Sequence, residues 1–447
     1  MTDETAAKGG DLTNPEYTPP LAVAIPLGIQ HILAMFVSNF TPAIIIAGAA
    51  GFGFGSPDIS DMIYMIQIAM IFSGIATLLQ TIGVGPVGAR LPVVQGTSFA
   101  FLPVMIPIVK TSGMAALFGG IVIGGIFHFF LGTIIGRIRY LLPPLVTGLV
   151  VLMIGLSLIR VGIQYSAGGV PLMGKPEFGG LNHWGMALVV IIVTLGIKFF
   201  ARGMMSAAAV LIGLMVGYVF AILLGEVSFG NIARASWFMV PQPMKFGFEV
   251  NVAAIIGICL MAIVSAIETV GDVSGITKGG ANREATDKEL AGATYADGAG
   301  SFIAGLFGGL PNTSFSQNVG LISMTGVMSR HVVTIGAIFL IIAGLVPKVG
   351  AVISSMPIAV LGGGVVVMFG MVAAAGINML SDVKWNRRNM VIFAVSLSVG
   401  LGLQLVPDAL QHLDQTLKVL LTSGILPAAF LAVVLNAVLP EELEGDA

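Results

Sequence analysis

Three carboxylates stand where apolar residues surround them: Glu268, Asp272 and Asp297. Glu268 and Asp272 are four positions apart, the spacing that sets two side chains on one face of a helix. A carboxyl group withdrawn from water holds a proton more readily, and a second carboxyl nearby strengthens the hold. Such a group can load and release a proton near neutral pH, and an ionisable residue at membrane depth is functional by default. The plainer readings are that Asp272 caps a helix end before Gly275 and that Asp297 is a structural acceptor. Gln30-His31 also lies in an apolar run. Histidine titrates near physiological pH, although packing would account for His31 equally well. His128 lies as deep but has no polar neighbour in the sequence, so packing is the expectation there. His183, His331 and His412 fall at segment ends.

A second kind of chemistry is offered by Pro311-Asn312-Thr313-Ser314-Phe315-Ser316-Gln317-Asn318, a dense polar run in apolar surroundings. Irregular polar backbone at membrane depth is tolerated only when buried in protein or lining a cavity. Its amides and hydroxyls can both donate and accept. That suits a neutral planar ligand with alternating N–H and C=O groups better than a bare cation or a phosphate. Gln95-Gly96-Thr97-Ser98-Phe99 would close the other side. No phosphate loop and no paired-histidine metal motif occurs. Cys259 is the only cysteine, which excludes an intramolecular disulfide and a cysteine-based zinc site. No cofactor, metal or catalytic residue is expected, and the coupling ion would be a proton.

The elements that must hold these groups are membrane helices. The chain has 447 residues, of which 56% are hydrophobic and 9% charged. A soluble protein carries about 25% charged residues. Apolar runs long enough to span a bilayer recur from Leu21 to Leu439. They are continuous rather than alternating, which excludes an outer-membrane barrel. A net charge of −2 with no basic tract excludes a nucleic-acid binder. We count about fourteen crossings. Two of them, near 93–108 and 312–325, are short and rich in Gly, Pro, Ser and Thr. With both termini inside, the 20 Lys and Arg divide thirteen to seven in favour of the inner loops, Lys8 and Arg139 among them, as the positive-inside rule requires. The tail 441–447 is acidic, and mobility is expected of it.

The two halves resemble each other. Thr97-Ser98-Phe99 recurs as Thr313-Ser314-Phe315, and Val150-Val151-Leu152-Met153-Ile154-Gly155 recurs as Val365-Val366-Val367-Met368-Phe369-Gly370, at nearly one offset. Seven crossings per copy is odd, so the second copy must enter inverted. Inverted repeats with paired interrupted segments mark a transporter with its site near the midplane.

At Gln317-Asn318-Val319-Gly320-Leu321-Ile322-Ser323-Met324-Thr325-Gly326 the chain resembles the signature of the nucleobase–ascorbate transporter family. The resemblance covers about residues 20 to 440. It includes Gln30-His31, Gln95-Gly96-Thr97-Ser98-Phe99, Glu268-Thr269-Val270-Gly271-Asp272 and Ala296-Asp297-Gly298. It implies an all-α integral membrane protein of 14 transmembrane segments in 7+7 inverted repeats, with short strands in the interrupted third and tenth segments. A core domain would take 21–135 and 251–350, a gate domain 136–250 and 351–438, with cytoplasmic tails at 1–20 and 439–447. It further implies a plasma-membrane homodimer joined through the gate domain, working by an elevator-like movement of the core. Glu268, Gln317, Phe99 and Ser98 would bind substrate. Asp297, Asp272, His31 and Asn318 would serve proton coupling and site architecture. Uracil permeases carry Glu at the Gln317 position and His at the Asp272 position, so this chain resembles the purine branch. The expected function is import of xanthine or urate, or both, by proton symport. A uracil permease, an anion exchanger of the related sulfate/bicarbonate transporter fold and a membrane enzyme are the alternatives. The last would need a nucleophile–base pair or a metal cluster, and neither is legible.

Overall fold

Long apolar stretches punctuated by glycine and proline become long helices with sharp breaks. The computed structural model describes residues 12–440 apart from 55, 57–58, 139–142 and 382. Lys8, Arg139 and the acidic tail 441–447 lie outside the described residues. The principal elements run α1 (Leu21–Ala50), α2 (Ser60–Ile82), β1 (Gln95–Thr97), α3 (Leu102–Leu131), α4 (Pro144–Ser166), α5 (Leu181–Phe200), α6 (Ala209–Leu223), α7 (Val252–Ala281) and α8 (Asp287–Leu306). They continue as β2 (Asn312–Ser314), α9 (Ser316–Thr325), α10 (Arg330–Leu345), α11 (Pro347–Ser355), α12 (Ile358–Leu380), α13 (Arg387–Leu405), α14 (Gln415–Thr422) and α15 (Ile425–Val438).

Eight of the described helices are long and apolar enough to cross a membrane. The count reaches ten if the bent pairs α10–α11 and α14–α15, broken at 77° and 80°, each make one span. The other expected crossings are the places where the chain spends its length on something else. The run expected at 93–108 yields β1 and the first part of α3, whose axis breaks at Gly113 with φ 84° and ψ 179°. That left-handed φ is open to glycine at little cost. The run at 312–325 yields β2 and the ten residues of α9. Helix α6 has 15 residues. Helix α8 opens on Asp287-Lys288-Glu289, with a capping box between Thr286 and Glu289, so its first turn belongs to the water interface.

Helices α1, α2, α3, α7, α8 and α10 pack on one another, while α4, α5, α6, α12, α13 and α15 form a second group. Small residues let the helices approach closely. A Cβ added at Gly155 of α4 would fall 2.4 Å from the Ala373 nitrogen of α12, and one at Gly376 would fall 2.3 Å from that of Leu152. Both interrupted segments pack against the first group, β1 on α1 and α2, β2 on α7 and α8, and α9 on α1 and α7. Their strands pair antiparallel, with Gln95 opposite Ser314, Gly96 opposite Thr313 and Thr97 opposite Asn312. Thr97 and Thr313, the first residue of each copy of the shared motif, thus lie in the two paired strands.

Candidate functional site

Each strand of this two-stranded ribbon runs into a helix, β1 into α3 and β2 into α9. The first N–H groups of a helix lack intrahelical partners and carry the positive end of its dipole. Phe99 and Ala100 before α3, and Ser316 and Gln317 at the start of α9, line a cavity of about 210 Å³. Its opposite wall is apolar: Val151 and Ile154 from α4, Met371, Val372 and Ala375 from α12. The Phe99 ring meets Phe369 of α12 edge to face at 5.2 Å, so the two helix groups touch beside the cavity.

Glu268 of α7 borders this cavity. Its Oε2 is buried and accepts no hydrogen bond. Leaving a buried polar atom unmatched costs about 1–3 kcal/mol, and such exceptions call for an explanation. A ligand that brings its own N–H supplies one. Gln317, in the first turn of α9, offers a carboxamide to the same space. Ser98 lines it too, and its Oγ accepts from the Ala100 N–H at 3.3 Å.

Asp272 stands one turn beyond Glu268. Its carboxylate accepts from Ser314 Oγ at 2.6 Å and from Ser316 Oγ at 2.8 Å. It thereby ties both β2 and the head of α9 to α7. Helix α7 continues to Ala281, so Asp272 caps no helix end before Gly275. Asp297, fully buried on α8, accepts from Thr269 Oγ1 and Gln95 Nε2, and from Gln80 Nε2 at 3.2 Å. Ser314 Oγ also lies 3.2 Å from Thr269 Oγ1. A continuous chain of hydrogen-bonding groups thus joins Asp272 to Asp297. His31 of α1 bonds through Nδ1 to the Asn318 side-chain oxygen, while Asn318 Nδ2 donates to the Pro92 carbonyl at 2.7 Å. Both residues lie outside the cavity lining and hold α9 against α1 and the approach to β1.

The eight singled-out residues therefore fall into three places. Glu268, Gln317, Phe99 and Ser98 meet at the cavity. Asp272 and Asp297 sit behind it. His31 and Asn318 form a separate brace. His128 departs from its expectation, because its Nε2 lies 3.9 Å from Asp297 Oδ2. That polar neighbour comes from another helix and is invisible in the local sequence. Sequence reasoning also passed over Asn39 of α1. Its side-chain oxygen accepts from Ser73 Oγ at 2.6 Å, Thr97 N at 2.9 Å and Thr97 Oγ1 at 3.2 Å. Ser73 Oγ lies 3.1 Å from Asn312 Oδ1 as well, so this knot pins one end of the ribbon. The available signal was a carboxamide in the middle of an apolar run, which in a membrane is used as interhelical glue.

Comparison with known proteins adds the family context. The model of a permease family, Xan_ur_permease, matches residues 23–409. The uric acid transporter UacT of Escherichia coli K12 is 38% identical over 419 residues, spanning 92% of this chain and 85% of its own. The xanthine permease of Bacillus subtilis 168 is 36% identical over 419 residues, with 93% of each chain covered. Among solved structures, the transmembrane domain of the cyanobacterial bicarbonate transporter BicA aligns with a TM-score of 0.60 at 16% identity, covering 93% of this chain and 97% of that one. At that identity the likeness is one of fold.

Proposed function

Because this chain belongs to the Xan_ur_permease family of membrane permeases, within the nucleobase–ascorbate transporters, we propose that it imports xanthine and urate across the plasma membrane by proton symport. The observation that carries this reading is that Glu268, whose Oε2 is buried without a hydrogen-bond partner, and Gln317 line one cavity headed by two half-helices. A purine dione alternates ring N–H with carbonyl oxygen. The Glu268 carboxylate accepts from ring N–H, Gln317 donates to a carbonyl and accepts from N–H, and the free N–H groups at the half-helix starts receive the remaining oxygens. The cavity is smaller than the ~300–1,000 Å³ of drug-sized pockets, as suits a ligand of about a dozen heavy atoms. Asp297 and Asp272 hold the coupling proton.

The substrate of the bicarbonate transporter that shares the fold fits less well. Two helix N-termini favour an anion, but Glu268 places a carboxylate beside it, and like charges at close range in low dielectric repel strongly. Helix group α1–α3, α7, α8 and α10 takes the part of the moving core and the second group that of the gate, through which two copies pair. Both termini lie in the cytoplasm, and fourteen segments in two inverted repeats remain our reading of the topology.

Two substitutions probe the substrate contacts. Gln317→Glu replaces a group that donates and accepts with one that only accepts. Xanthine affinity is expected to weaken by about 1–3 kcal/mol, the worth of one mismatched polar contact. Unchanged competition by xanthine in this variant would remove Gln317 from the binding shell. Ser98→Asn fills space beside the ligand. Urate carries an oxygen where xanthine carries C–H, and steric exclusion penalises the larger ligand. The ratio of urate to xanthine uptake is expected to fall in Ser98→Asn; an unchanged ratio would place selectivity elsewhere.

The direct test is uptake of radiolabelled xanthine in cells lacking their own purine permeases, with unlabelled bases and bicarbonate as competitors. Unlabelled xanthine and urate should compete while uracil and bicarbonate do not. Competition by uracil or bicarbonate and not by urate would replace this substrate class with that of the competitor.

A further inference from the structure

His128 has no role in the site as described so far. It sits near the end of α3, 1% exposed, in a helix that runs against α8. Its Nε2 is buried and makes no hydrogen bond. The atom faces Asp297 Oδ2 at 3.9 Å, the same carboxylate oxygen that accepts from Thr269 Oγ1. The approach is enforced by the backbone. A Cβ on Gly298, the residue after Asp297, would fall 2.2 Å from the Phe129 nitrogen, the residue after His128. Glycine at that point therefore lets α3 and α8 come close enough to set an imidazole against a carboxyl group. Approach by about 1 Å would bring the two within hydrogen-bond distance, which side-chain rotation can supply.

From this geometry we infer that His128 is a positioning residue for proton coupling: it shares the coupling proton with Asp297. The inference rests on the reading of Asp297 as the proton-carrying group. The step moves one proton and no electrons. The O–H bond at Asp297 Oδ2 breaks as an N–H bond forms at His128 Nε2, so a neutral acid beside a neutral imidazole becomes a carboxylate beside an imidazolium. The net charge of the pair is unchanged, so the proton shifts without an unpaired charge being created in the low-dielectric interior, which would be costly. Two facing groups that trade a proton this way give Asp297 a second resting place for it on the side away from Ser314 and Asp272. The titratable groups presented to His128 by its packing neighbours are few. Asp297 faces it from α8. Tyr295 of α8 lies against the adjacent Phe129 ring at 4.9 Å. Asp272 and Glu268 of α7 belong to the same network, with Asp272 joined through Ser314 and Thr269. His31 of α1 is engaged by Asn318.

The test compares two transport modes in His128→Gln and His128→Phe. Gln keeps a polar group of similar length but cannot titrate, and Phe keeps ring volume without polarity. Net xanthine uptake driven by a pH gradient requires proton release, whereas exchange of labelled for unlabelled xanthine requires none. Both variants are expected to lower the ratio of net uptake to exchange by at least about tenfold, the lower bound of what a positioned proton-transferring side chain contributes, and to flatten the dependence of net uptake on external pH. A wild-type ratio and pH profile in both variants would overturn the inference, as would parallel loss of both modes with the ratio preserved, the mark of a packing role. The underlying reading fails separately: wild-type accumulation that survives a protonophore would remove the coupling proton itself.

Discussion

Glu268→Gln is expected to abolish uptake while leaving the protein inserted in the membrane at its normal level. The substitution keeps the shape of the side chain and removes its charge. In the wild type the buried Oε2 has no hydrogen-bond partner, and in the proposed binding mode the ligand's ring N–H supplies one. In the variant an NH₂ group can occupy that place, and two donors then face each other in a water-poor cavity. Loss of a charge-assisted hydrogen bond and the stranding of a ligand N–H together cost about 3 kcal/mol, roughly a hundredfold in affinity. Folding should be spared, because Glu268 makes no hydrogen bond through this atom that the amide would break. The measurement is initial xanthine uptake normalised to protein in the membrane. Wild-type uptake by Glu268→Gln would dissolve the site.

Asp297→Asn is expected to separate transport from coupling. The amide oxygen of Asn can keep the bonds from Gln95 and Gln80, and the Thr269 hydroxyl can turn to accept from its NH₂. The polar knot between α2, α7 and α8 is therefore preserved in outline, but the site no longer carries a proton that can be released. Net accumulation against a gradient should fall at least about tenfold, as when a positioned proton-transferring group is lost, while exchange of labelled for unlabelled xanthine persists. Accumulation at the wild-type level in Asp297→Asn would move the coupling proton to another group.

Much of this site could be read from the chain before the fold was seen. The three carboxylates stood out because ionised groups are rare in apolar runs. The paired Thr-Ser-Phe motifs stood out because one motif recurs, and each begins within one of the two strands that pair with each other. What escaped was whatever depends on neighbours remote in sequence. Asn39 looked like one polar residue in a long apolar helix, yet it collects three hydrogen bonds from α2 and β1. His128 looked isolated because its partner Asp297 arrives from α8. Helix breaks were legible only where a charged residue marks them. The break at Gly113 (φ 84°) follows Lys110-Thr111-Ser112, which had already ended the run at 108, whereas no charged residue stands beside Gly424 and only its positive φ of 75° reveals the turn between α14 and α15. Fourteen runs could therefore be counted where eight to ten helices meet the length and polarity expected of a full crossing.

A purine held by Glu268 and driven by a proton is the central proposal. The most direct measurement is xanthine uptake by the purified protein in sodium-free liposomes, with the outer solution made more acidic than the lumen. Accumulation above the outer concentration, collapsed by a protonophore and absent without the pH step, is the predicted result. Accumulation that ignores both the pH step and the protonophore, or that appears only when sodium is supplied, would contradict it.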